Sequence, residues 1–169
     1  FCGYHGWHDW YLAANLGAKN VLGEHLLPGL EPAGVPKVLK GTSITFRYNH
    51  PEDLEKIYSK HSEDLGVIVL EAIRNERPTE EFIYKLKSVV TEMEVVLVID
   101  EISSGFRMNT GGAHLILGIE PDIAVFSKAL GNGYPIAAII GKNSVMEASQ
   151  KSFISSTYWT ERIGPTAAL

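Results

Sequence analysis

Two rhythms of apolar residues alternate along the middle of this chain. Gly66-Val67-Ile68-Val69-Leu70 and Val95-Val96-Leu97-Val98-Ile99 are unbroken apolar runs of strand length. Between them Phe82, Ile83, Leu86, Val89, Val90 and Met93 recur at helical spacing. Strand, helix, strand with both strands apolar throughout predicts a βαβ unit in a parallel sheet covered on both faces. Pro78 suits the first turn of that helix. Two further apolar runs, Ile123-Ala124-Val125-Phe126 and Ile136-Ala137-Ala138-Ile139-Ile140, extend the sheet. The fold class expected is α/β, with three layers (α/β/α) around a mainly parallel sheet.

Upstream the rhythm is weaker. Residues 42–47, Thr-Ser-Ile-Thr-Phe-Arg, alternate and are rich in β-branching, so a short strand is expected. Pro51 to Asp64 reads as a helix, with Pro51, Glu52 and Asp53 suited to its first turn and Leu54, Ile57 and Tyr58 on one face. Residues 15–41 hold Pro28, Pro32 and Pro36 among glycines and read as a long surface connection. The chain opens at Phe1 inside what reads as a strand or loop, and Pro165 to Leu169 reads as the start of a helix. Both ends suggest a fragment of a longer protein.

Composition narrows the classes. A net charge of −5 supplies no basic field for nucleic acid. No apolar run approaches the roughly 18 residues of a membrane span. Cys2 is the single cysteine, which excludes an internal disulfide and suits a reducing cytoplasm. It reads as a small buried residue rather than a nucleophile. Gly131-Asn132-Gly133 lacks the third glycine of a dinucleotide fingerprint, and no Walker A pattern occurs.

Chemistry gathers at the ends of the predicted strands. In open α/β sheets the site lies beyond the carboxyl ends of the strands. Glu71 follows the first run, Asp100 and Glu101 the second, Ser127 and Lys128 the third. A lysine partly desolvated at a strand end holds a neutral amine more readily, and that amine can attack a carbonyl. The alternative is a surface lysine whose stem lies along the sheet edge. Asp100 needs a partner, because an unpaired buried charge is costly. A protonated pyridine nitrogen, Arg107 or a helix N-terminus would each serve. His5, His8 and Asp9 could be read as metal ligands, although Trp7 and Trp10 interleave with them and no third cluster joins them.

Longer motifs carry a resemblance. Val98-Ile99-Asp100-Glu101-Ile102-Ser103-Ser104-Gly105-Phe106-Arg107, Gly111-Gly112-Ala113, Pro121-Asp122-Ile123 and Ser127-Lys128-Ala129-Leu130-Gly131-Asn132-Gly133-Tyr134-Pro135 together resemble the class III aminotransferases. Phe106-Arg107 with Gly111-Gly112-Ala113 looks most like the glutamate-1-semialdehyde 2,1-aminomutase branch. Tyr4-His5-Gly6, Leu70-Glu71 and Ser156-Thr157-Tyr158 resemble further motifs of that family, in the family's order.

The resemblance implies the large domain of a fold type I enzyme that uses pyridoxal 5'-phosphate. Lys128 would form the internal aldimine and shuttle protons, and Asp100 would pair with the pyridine nitrogen. Ile102 and Tyr4 would pack on the two ring faces. His5, Glu71 and Ser103 would lie near the ring. Thr157 would reach the phosphate of a neighbouring subunit in a homodimer. Residues 1–169 would be part of that domain, lacking the phosphate-binding turn upstream and the small domain downstream. Ala72 stands where the family usually has Pro, Asn75 where it often has Gly, and Ser103 where many members carry Gln.

The implied reaction is amino-group transfer between an amino donor and a carbonyl acceptor. The nearest alternative is intramolecular transfer, as in an aminomutase. Two readings from other classes also stand: a metal-dependent hydrolase using His5 and His8, and an inactive binding or assembly module.

Overall fold

The computed structural model describes residues 4–6, 8–17, 31–73 and 75–169. Cys2, Trp7 and residues 18–30 of the connection expected between residues 15 and 41 lie outside the described residues. Four strands form one sheet: β1 Val67–Glu71, β2 Val96–Asp100, β3 Ile123–Phe126 and β4 Ala138–Gly141, in that spatial order. The first three run parallel and β4 closes the edge antiparallel. The helices are α1 Asp9–Gly17, α2 Pro51–His61, α3 Glu80–Met93, α4 Ala113–Ile116, α5 Asn143–Met146 and α6 Ile163–Ala168.

The expected βαβ unit is β1–α3–β2, and the helix ends follow local chemistry. Thr79 caps α3, its hydroxyl accepting from the Phe82 N–H at 3.2 Å. Pro78 therefore stands just outside the helix rather than in its first turn. Glu94 ends the helix in the left-handed conformation, at φ 52°. Side chains alternate across the sheet, as the period of two requires. Ile68, Leu70, Leu97, Ile99, Ala124 and Phe126 are buried on one face. Most of these pack with Leu54 of α2 and Phe82, Leu86 and Val89 of α3 into a single core. Val67 is exposed, and Val69, Val96, Val98, Ile123 and Val125 on the opposite face are only half-buried. Cover on both faces, expected from the unbroken apolar runs, is thus complete on one face alone among the described residues.

Two stretches depart from the sequence reading. Residues 42–47 form no strand. Their polar groups are spent locally instead. The Ser43 hydroxyl donates to the Trp10 carbonyl at 2.6 Å, and the Arg47 N–H and guanidinium both bond Asp53. Phe46 satisfies its apolar character by stacking on Phe82, centroids 6.4 Å apart. Asp9–Gly17 is helical although the sequence showed only an aromatic-rich start there. The His8 ring accepts from the Tyr11 N–H and so caps its first turn. Among the described residues, no helix is long and apolar enough to cross a membrane.

Candidate active site

The parallel register brings the predicted polar residues to one edge. Glu71 pairs in register with Asp100, and Asp100 with Val125, two residues before Ser127. The carboxyl ends of β1, β2 and β3 therefore converge, as expected for a parallel sheet.

Asp100 is buried and has specific partners. Its Oδ2 lies 2.8 Å from His5 Nδ1, a contact across 95 residues of chain. Its Oδ1 accepts from the Ile102 N–H at 2.9 Å, a local turn of the Asx type. His5, and not Arg107 or a helix N-terminus, is thus the partner that the structure supplies. Glu71 is also buried. Tyr48 donates its hydroxyl to the Ala72 carbonyl just beyond it, at 2.7 Å. Burial, and then the nearby Glu76 and Glu71 carboxylates, push the Tyr48 phenol well above the usual tyrosine range.

Lys128 reaches the same edge by a different backbone device. It begins a single 3-10 turn after β3 and adopts φ 47°, a left-handed conformation rare outside glycine. Its Nζ donates to Ser103 Oγ at 2.9 Å. Ser103 stands three residues after Asp100, so one short turn connects the amine to the carboxylate. The expected desolvation is not found, however. Lys128 is exposed, as the surface-lysine alternative has it.

Gly131, in the loop after Lys128, is required by close packing. A Cβ on Gly131 would meet Ile136 Cγ2 at 2.4 Å and the Tyr134 carbonyl oxygen at 2.7 Å. That glycine makes room for the chain's own returning loop. Ser127 Oγ donates to the Ile136 carbonyl at 3.0 Å and holds the loop there.

The remaining predicted residues divide. Ile102 and Ser103 are half-buried within the turn beside Asp100. Tyr4 adjoins His5 in sequence and meets Tyr11 edge-on, centroids 6.1 Å apart. Thr157 is fully outside this constellation, in an exposed turn where the Trp159 N–H bonds the Ser156 carbonyl. The two histidines considered for metal point to different partners, His5 to Asp100 and His8 to α1. Among the described residues, no group of three or more His, Cys, Asp or Glu is placed to hold an ion.

Sequence reasoning placed Glu101 at the same strand end but gave it no role. Strand alternation sends Glu101 to the side opposite Asp100, where it is 0% exposed. Its carboxylate accepts from Ser104 Oγ at 2.5 Å and from the His114 N–H at 2.8 Å, and lies 2.8 Å from His114 Nδ1. The available signal was an acid directly after an apolar strand, followed by small residues and a histidine.

The sequence pattern of the class-III aminotransferases matches residues 2–168. The chain is 31% identical to a 3-aminobutyryl-CoA aminotransferase of Cloacimonas acidaminovorans, over 99% of this chain and 38% of that protein. It is 34% identical to a glutamate-1-semialdehyde 2,1-aminomutase of Nitrosopumilus maritimus, over 98% of this chain and 39% of that protein. In three dimensions it is similar to an omega-transaminase from Sphaerobacter thermophilus. That match has a TM-score of 0.79 and 20% identity, and covers 98% of this chain and 40% of the other. This last likeness shows the fold, that of the transaminase large domain with its mainly parallel sheet. The chain spans well under half the length of the relatives it matches.

Proposed function

We propose, for a chain that belongs to the class-III aminotransferase family, that residues 1–169 supply part of a large domain that binds pyridoxal 5'-phosphate and transfers an amino group between an amino donor and a carbonyl acceptor. The observation that carries the reading is the short turn that joins the Asp100 carboxylate to the Lys128 amine through Ser103.

The donor set suits this cofactor. A carboxylate offers about four lone-pair positions. Asp100 uses one oxygen for His5 and the other for Ile102, which leaves capacity for a protonated ring nitrogen. His5 Nδ1, 2.8 Å from Asp100 Oδ2, holds the carboxylate in place. Lys128 offers a primary amine on an exposed side chain, reachable by an aldehyde. Ile102 follows Asp100 closely and Tyr4 adjoins His5 in the chain, and their apolar surfaces would suit the two faces of a planar ring. Glu71 lines the edge beside Asp100. When bound, pyridoxal 5'-phosphate supplies an aldehyde that captures amines and a ring that accepts electrons. Lys128 Nζ holds and moves the proton at the reacting carbon, with Ser103 Oγ as its resting partner. Asp100 would pair with the ring nitrogen and favour its charged form.

The exposed turn at Thr157 serves a second copy of the chain in a homodimer, reaching the phosphate held by its neighbour. The substrates are small amines and carbonyl compounds. One cysteine in 169 residues suits a cytoplasmic setting. A mutase reading uses the same residues and is favoured by the 34% identity to an aminomutase.

The test is the full chain mixed with pyridoxal 5'-phosphate. The reading expects a visible absorbance band that borohydride fixes to Lys128 and that Lys128→Ala abolishes. A folded protein that shows no such band overturns it. A panel of amino donors, with and without a carbonyl acceptor, separates transferase from mutase.

A further inference from the structure

Glu101 is the one fully buried carboxylate among the described residues, and the chemistry proposed above does not use it. A buried carboxylate is costly unless donors surround it. Here Ser104 Oγ, the His114 N–H and His114 Nδ1 supply them, all within 2.8 Å. These partners come from two segments ten residues apart. The carboxylate therefore ties both ends of the 104–114 loop to the end of β2. The backbone reinforces the knot: the Gly105 N–H bonds the Glu101 carbonyl at 2.7 Å, and the Phe106 N–H bonds the Gly111 carbonyl at 2.7 Å.

Only Ile102 and Ser103 lie between Glu101 and its first partner, Ser104. These two residues make the site's key contacts. Ile102 donates to Asp100 Oδ1, and Ser103 accepts from Lys128 Nζ. A two-residue span pinned at both ends has little freedom left. We propose that Glu101, held by His114 and Ser104, is a positioning residue that sets the orientation of the Asp100 carboxylate and of the Lys128 amine at once. The inference rests on the cofactor reading for its purpose, but not for its geometry. Glu101 touches neither the amine nor the other carboxylate; it acts through the turn.

The experiment compares wild type, Glu101→Gln, His114→Leu and His114→Gln in the full chain. The first readout needs no cofactor. Lys128 is labelled with a limiting amine-reactive acylating reagent and quantified by peptide mass spectrometry against Lys60, which is exposed on α2. Amide exchange of the 102–107 segment is followed in parallel. The second readout is affinity for pyridoxal 5'-phosphate.

Glu101→Gln and His114→Leu are expected to raise exchange in 102–107 and to change the Lys128-to-Lys60 ratio at least about threefold. They should also weaken cofactor affinity roughly tenfold, the scale of one lost bond to a charged group. His114→Gln keeps a side-chain donor toward Glu101 and should stay within about threefold of wild type. Should Glu101→Gln fail to fold, the Leu and Gln variants at His114 carry the comparison.

Folded Glu101→Gln or His114→Leu protein with a wild-type labelling ratio overturns the proposal. So does a lowered melting temperature with no change in ratio or exchange, which marks Glu101 as a core residue only. If wild type takes up no cofactor at Lys128, the cofactor reading fails, while the cofactor-free labelling still decides whether Glu101 positions the amine.

Discussion

Gly112→Ala should be among the most damaging single-methyl additions in this protein. Gly112 has φ −101° and ψ 154°, an extended conformation that alanine adopts freely, so any cost is steric. A Cβ there would lie 2.2 Å from His114 Nδ1, 2.4 Å from His114 Cε1 and 2.7 Å from Glu101 Oε1. The His114 ring cannot yield cheaply, because it is bonded to a fully buried carboxylate and packed near Phe126. Overpacking a dense site costs about 1–3 kcal/mol. Displacing the ring also leaves Glu101 short of a donor, worth about 1–3 kcal/mol more. The sum, roughly 2–6 kcal/mol, reaches into the tail of single substitutions. Urea unfolding of the full chain measures it, with Gly66→Ala as control. No atom lies within 4 Å of a Cβ on Gly66, and alanine there should be neutral or stabilise by up to about 1 kcal/mol. A cycle with His114→Ala sharpens the test. Removing the ring abolishes the two shortest contacts, so Gly112→Ala should cost at least about 1 kcal/mol less in that background. Gly112→Ala within about 0.5 kcal/mol of wild type, or additivity with His114→Ala, would refute the packing described around Glu101.

Three further outcomes are expected. Thr79→Ala removes the cap on the Phe82 N–H and should cost about 1 kcal/mol by chemical denaturation, with the affected exchange confined to the first turn of α3. Glu94→Gly relieves a left-handed side-chain residue at the other end of α3 and should stabilise the fold by up to about 1 kcal/mol, seen as a raised unfolding midpoint. The Arg47 guanidinium bonded to Asp53 holds that carboxyl well below the usual carboxylate range. A depressed acid stabilises the fold above its unfolded pKa of about 4 and loses that contribution as pH falls toward the folded value. Stability measured between about pH 5 and pH 2 should therefore fall less steeply in Asp53→Asn than in wild type.

Much of the arrangement was readable from residue order because parallel sheets obey strong local rules. Continuous apolar runs marked β1, β2 and β3 to within a residue, and helical spacing marked α3. The convergence of Glu71, Asp100 and Lys128 at one edge then followed, since parallel strands share a carboxyl end. What failed was local pattern without tertiary support. Residues 42–47 alternate like a strand, yet side-chain bonds to Trp10 and Asp53 absorb their polar groups before any ladder forms. The start of α1 lacked a clear apolar periodicity, and its cap comes from a histidine ring, a residue that seldom announces a helix N-terminus.

By itself the sequence determined the β1–α3–β2–β3 core, its parallel sense and which strand ends carry an acid and an amine, because these depend on periods of two and of 3.6 and on short-range sterics. Only the tertiary structure decided that Asp100 and Glu101, adjacent in the chain, serve opposite faces. It also decided that His5 and His114 are their respective partners and that Lys128 stands exposed against Ser103. Those outcomes depend on burial and on contacts spanning 13 to 95 residues, which exist only once the sheet has twisted its strand ends together.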